Sequence, residues 1–123
     1  MDAIPPQNDR PPINLAQLGD TFGDEAEFLA EMYGIYVGDA SDRLTELDRA
    51  LAADDSEKVK STAHTLKGSS GSVGAERMSA LAAELEQVDC AQDRPQVQDL
   101  AAALHAEFEA VQAFVKEFVH SPL

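Results

Sequence analysis

AHTLKGSSGSVGA, residues 63–75, holds three glycines, three serines and one of the chain's three histidines. Apolar residues on both sides of it recur at helical spacing, so the stretch reads as the end of one helix and the turn into the next. Glycine within a helix costs roughly 1 kcal/mol against alanine. Gly74 is a natural stop. Gly68 and Gly71 fall where the apolar pattern still runs, so they need a reason other than termination.

The helix around this stretch is predicted over 56–72, with a buried stripe of Val59, Ala63, Leu66, Ser70 and Val73. Asp54 with Glu57 forms an N-cap signature before it. A longer helix, from about 24 to 53, precedes it. Its first turn is acidic (Asp24, Glu25, Glu27), and its stripe is Leu29, Tyr33, Tyr36, Ala40, Leu44, Leu47 and Leu51. The link between the two is so short that they pack antiparallel. Past Gly74, Met78, Leu81, Leu85 and Val88 predict a helix over about 75–88. After the polar turn DCAQDRP and Pro95, the stripe Val97, Leu100, Leu104, Phe108, Val111, Val115 and Phe118 carries a last helix to about 119. Asn14 with Gln17 resembles a capping box for a short helix bearing Ile13, Leu15 and Leu18 and ending at Gly19. Residues 1–12 contain four prolines and read as an extended arm. The prediction is all-α: an antiparallel four-helix bundle with an additional short N-terminal helix, its domain spanning 13–120 behind the 1–12 arm.

The 123 residues suit one domain, and 44% apolar residues supply its core. Twenty-three acids against nine bases give a net charge of −14, which argues against nucleic acid and anionic membranes as partners. Cys90 is alone, so neither an internal disulfide nor a cysteine zinc site is available. The N-terminus lacks an apolar signal region, and no apolar run approaches membrane-spanning length. These features predict a cytoplasmic protein; the sequence does not say whether it stands alone, although Met1 and the complete-looking ends favour that.

On a helical wheel with the 56–72 stripe at about 0°, His64 falls at about 140°, Lys60 at about 100° and Lys67 at about 80°. Gly71 lies at about 120° and Gly68 at about 180°. His64 therefore points away from the core with a lysine one turn to either side. Gly68 is its i+4 neighbour, so the imidazole edge stays open and a bulky partner can approach the backbone. An exposed imidazole, flanking ammonium groups and a cleared approach describe a site for an anion. The plainer alternative is a solvated surface histidine on a fraying helix end. Fraying accounts for Gly71 better than for Gly68, because Val73 still continues the stripe.

Other chemistries fit less well. A phosphate-binding loop places glycine before lysine, whereas Lys67 precedes Gly68. No GxGxxG follows a strand, and no HExxH or carboxylate–histidine pattern suggests a metal. Glu84 and Glu86 read as solvated. Ser69, Ser70 and Ser72 have no obvious local base.

The segment AHTLKGSSGSVGA resembles the signature of histidine-containing phosphotransfer (HPt) domains, H-x-L-K-G-S-x-x-x-x-G-A. FGDEAEFLAEMYGIYVGDASDRLTELDRAL and RMSALAAELE look like the helices on either side of that family's phosphoacceptor helix, so the resemblance covers roughly 14–118. Val73 replaces a longer aliphatic residue, and Ala83 sits near a position often filled by cysteine. The resemblance implies that His64 is the phosphoacceptor through Nε2, that Lys67 helps hold the phosphoryl oxygens and that Gly68 leaves room for the partner. It implies a receiver domain as partner, of a response regulator or a hybrid histidine kinase, which would supply the phosphoaspartate and the Mg²⁺. Lys60 and Gly71 are further candidates for phosphate or partner contact. No cofactor of the chain's own and no autonomous kinase activity are expected, and the protein is expected to be a monomer. The rival reading is a helical adaptor that binds receiver or kinase domains without carrying phosphate.

Gly34, Gly38, Ser41 and Thr45 form a stripe of small residues on the first long helix, at about 100° to 160° from its buried face. Ser41 and Thr45 come roughly level with His64 in the predicted hairpin. This stripe either seats a partner helix or packs under the short N-terminal helix. With the stripe packed under that helix, Ile13, Leu15 and Leu18 rim the site, with some apolar surface exposed for docking.

Overall fold

The computed structural model describes Ile13 and residues 26–120. Among these there are four helices and no strand: α1 (Ala26–Ala52), α2 (Ser56–Ser72), α3 (Glu76–Gln87) and α4 (Arg94–His120). Each helix lies against the next in sequence, and α4 closes back onto α1, which makes the predicted antiparallel four-helix bundle. The arm over 1–12 and the short helix beginning at Asn14, with Leu15 and Leu18, lie outside the described residues.

The predicted stripes form the core. Leu29, Tyr33, Tyr36, Ala40, Leu44 and Leu47 of α1 are buried against Val59, Ala63 and Leu66 of α2, Met78, Leu81 and Leu85 of α3, and the α4 positions from Val97 to Val115. Leu51 is only partly buried at the end of its stripe. Ile13 is fully buried in the same core. It is therefore not on an exposed apolar rim, contrary to expectation.

Two turns of the same design connect α1 to α2 and α2 to α3. After α2, Gly74 takes φ 79°; its N–H bonds to Gly71 O (3.2 Å) and the Ala75 N–H to Ser70 O (2.9 Å). This pair of bonds is a Schellman closure, which satisfies carbonyls that a helix end otherwise leaves open. After α1, the Asp54 N–H bonds to Leu51 O (3.2 Å) and the Asp55 N–H to Ala50 O (2.9 Å). Here Asp54, not glycine, holds the left-handed position, with φ 55°. That corrects the predicted cap. Asp54 is needed to close α1, so Asp55 caps α2, its Oδ1 accepting from the Lys58 N–H at 3.1 Å. The Asp54 carboxylate pairs with Arg94 at the start of α4.

Inside the bundle the Tyr36 hydroxyl and Ser70 Oγ lie 2.7 Å apart. Ser70 is fully buried and Tyr36 almost so. Burial pushes the Tyr36 phenol up to about 12, with the Ser70 hydrogen bond opposing the shift. The phenol therefore stays neutral and keeps its proton. The two residues lie equally far on either side of Ala53, so this bond fixes the register of the α1–α2 hairpin.

Removing either partner of the Tyr36–Ser70 bond strands a buried hydroxyl. Tyr36→Phe and Ser70→Ala should each lower the unfolding free energy by about 1–3 kcal/mol in urea titrations. The double variant should cost less than the sum of the two. Gly74→Ala should cost about 1–2 kcal/mol in the same measurement, because alanine is strained at its φ. Asp54→Gly should change stability by less than about 1 kcal/mol, relief of strain offsetting loss of an exposed ion pair.

Candidate functional site

The α2–α3 turn sets what faces His64. Gly71 and Ser79 lie four residues to either side of Ala75, and they meet: a Cβ on Gly71 would sit 3.4 Å from Ser79 Oγ. Ser79 Oγ also donates to the Lys67 carbonyl at 2.9 Å. Continued up the hairpin, the same register brings Glu86, eleven residues past Ala75, level with His64, eleven before it.

Glu86 bridges the two candidate groups. Its Oε2 is 2.8 Å from His64 Nδ1, and its Oε1 is 2.8 Å from Lys67 Nζ. The Lys67 ammonium, then the His64 hydrogen bond, hold the Glu86 carboxyl below the usual carboxylate range. A lowered carboxyl adds stability that is present above its unfolded-state value and is lost as pH falls through the folded one. At neutral pH Glu86 is thus an acceptor. The neutral imidazole must then donate its Nδ1–H, which leaves the Nε2 lone pair free. The His64 side chain is 67% exposed, so that lone pair faces an open surface.

Gly68 sits beside it, where an added Cβ would meet nothing within 4 Å, and Lys60 is exposed one turn before His64. The structure therefore brings together His64, Lys67, Gly68 and Lys60. Gly71 is half-buried at the α2–α3 crossing, where its Cβ would sit 3.4 Å from Ser79 Oγ. Gly38, Ser41 and Thr45 are exposed. Thr45 and Ser41 lie three and seven residues before Asp48, whose Oδ1 meets His105 Nε2 of α4 at 2.9 Å. They thus belong to the flank of α1 that adjoins α4. Thr45 Oγ1 turns back to the Ser41 carbonyl at 3.1 Å.

Glu86 reads as solvated in the sequence, and it is instead the residue that organises the site. The hairpin register carries the missing signal: once Gly74 is the turn, His64 and Glu86 are equidistant from Ala75 beside it.

A cavity of about 140 Å³ lies at the other end of the hairpin, lined by Ala50, Asp54, Val59, Cys90, Arg94 and Val97 among others. His64 does not line it. The His64 side chain, two-thirds exposed, is open to a macromolecular partner as well as to a small molecule. Among the described residues no group of three or more His, Cys, Asp or Glu is placed to hold a metal ion, and no helix is long and apolar enough to cross a membrane.

The profile of the Hpt domain family matches residues 31–114. Among solved structures, the crystal structure of histidine-containing phosphotransfer protein B (HptB) from Pseudomonas aeruginosa PAO1 is similar, with a TM-score of 0.76 and 28% sequence identity over 89% of this chain and 95% of that chain. No curated protein matches significantly.

The open space at Gly68 has a measurable cost. Gly68→Ala should raise the unfolding free energy by about 0.5–1 kcal/mol, because it improves helix propensity and its methyl group meets nothing. Denaturant titration checks this.

Proposed function

The chain belongs to the Hpt domain family, and on that premise we propose that it is a phosphorelay intermediate whose His64 takes a phosphoryl group from one receiver domain and passes it to another. The observation that carries the assignment is a two-thirds-exposed imidazole whose Nδ1–H is engaged by Glu86, so that Nε2 is the nucleophile.

In the forward step the Nε2 lone pair attacks phosphorus. The bond from phosphorus to the aspartyl oxygen breaks, and its electron pair leaves on the receiver's carboxylate. The ring, with Nδ1–H still in place, becomes cationic while bonded to the phosphoryl group. Such a transfer asks for position and charge neutralisation. Lys67 Nζ, held beside His64 through Glu86, supplies an ammonium for the phosphoryl oxygens, and Lys60 adds a second positive charge on the same face. Gly68 lets the partner come close to α2. The receiver contributes the aspartate and the Mg²⁺. Receivers of response regulators or of a hybrid histidine kinase fit this role, with the protein acting as a cytoplasmic monomer without kinase activity of its own.

Incubation with a phosphorylated receiver domain should place an acid-labile, base-stable label on the wild type and none on His64→Gln. Lys67→Ala should slow labelling by at least about tenfold. Binding of receivers without label on the wild type would favour the adaptor that carries no phosphate.

A further inference from the structure

The contact between Glu86 and Nδ1 bears on the return step as well as on the attack. This inference rests on His64 being the phosphoacceptor. We propose that Glu86 holds the Nδ1 proton on the ring after Nε2 has been phosphorylated, and so keeps the phosphohistidine competent as a donor at and above neutral pH.

Onward transfer breaks the bond between phosphorus and Nε2, and the electron pair returns to the ring. With Nδ1–H in place the leaving group is neutral imidazole. With that proton lost it is an imidazolate anion, a far stronger base and a far poorer leaving group. Phosphorylation on Nε2 does not by itself decide between these states. The groups around Nδ1 do. Among the described residues they include Glu86 from α3, at 2.8 Å from Nδ1, and Lys67 of α2, held on the same carboxylate, with Lys60 exposed one turn before His64. A carboxylate can only accept there, so it favours the protonated ring.

Lys67 strengthens the effect. In the free protein it shares Glu86 with His64, 2.8 Å from Oε1. A bound phosphoryl group carries up to two negative charges and competes for the same ammonium. As Lys67 turns to the phosphoryl oxygens, Nδ1–H becomes the principal remaining partner of Glu86. The phosphorylated ring is thus held by two opposite charges, a carboxylate at Nδ1 and an ammonium beyond Nε2.

Glu86→Gln is the informative variant. It keeps shape and hydrogen-bonding capacity, but its amide can donate to a bare Nδ1 as readily as accept from a protonated one. Ring-¹⁵N NMR of protein phosphorylated with phosphoramidate, or by a receiver, reads the midpoint of Nδ1 deprotonation directly. The variant midpoint should fall by about one pH unit. Onward transfer to a second receiver should drop about tenfold in the variant above that midpoint and match the wild type well below it. A purely structural role for Glu86 would lower stability or labelling without moving the midpoint. Equal midpoints in wild type and variant overturn the inference while leaving His64 as acceptor. A wild type that takes no phosphoryl group from either donor overturns the acceptor assignment, and this inference with it.

Discussion

Gly74 at φ 79° lets two successive amides bond back into α2, and that left-handed turn fixes where α3 lies along its neighbour. Everything near His64 follows from this register. It sets Ser79 against Gly71, where an added Cβ would sit 3.4 Å from the Ser79 hydroxyl. One further stretch up the hairpin, it sets a carboxylate against an imidazole. The Tyr36–Ser70 bond plays the corresponding part on the opposite flank of α2 by tying that helix to α1. α2 is thus clamped from both sides, while His64 on its outer face stays two-thirds exposed.

Charge is distributed to the same end. The chain carries −14 overall, yet α2 holds Lys58, Lys60 and Lys67 against the single acid Glu57. A local excess of positive charge on a strongly acidic molecule makes this ridge more favourable to an anion than the acidic surface around it. Glu86 is the acid that intrudes on this ridge. It does so where a nearby ammonium compensates it and a ring nitrogen needs an acceptor. Elsewhere acids have structural work: Asp54 and Asp55 handle the first turn, and Asp48 ties α1 to His105 of α4.

Much of this is legible in the sequence, because helical periodicity records burial directly. The stripe from Val59 to Val73 bounds α2 and puts His64 outside, and Gly68 leaves open space one turn after it. What periodicity does not record is which helix lies against which flank. Glu86 escapes it because a wheel of α3 alone shows that residue off the core. Only the antiparallel register across Gly74 brings it to His64. The stripe of Gly38, Ser41 and Thr45 misleads for the same reason: its height along α1 is reasonable, but its flank adjoins α4. The cap slips by one residue because aspartate can take a left-handed turn position that sequence reading reserves for glycine. Ile13 reads as a rim residue and is core, since three apolar residues in a short segment carry too little period to say which face is buried.

The bare surface around His64 has a consequence for traffic. In the proposed relay a single exposed imidazole admits one visitor at a time, and donor and recipient would approach it over the same ground beside Gly68. They therefore compete for one berth. Which way the cargo moves is then a question of supply: the abundance of each visitor and the fraction already loaded decide the direction, while the protein serves both as a common exchange point.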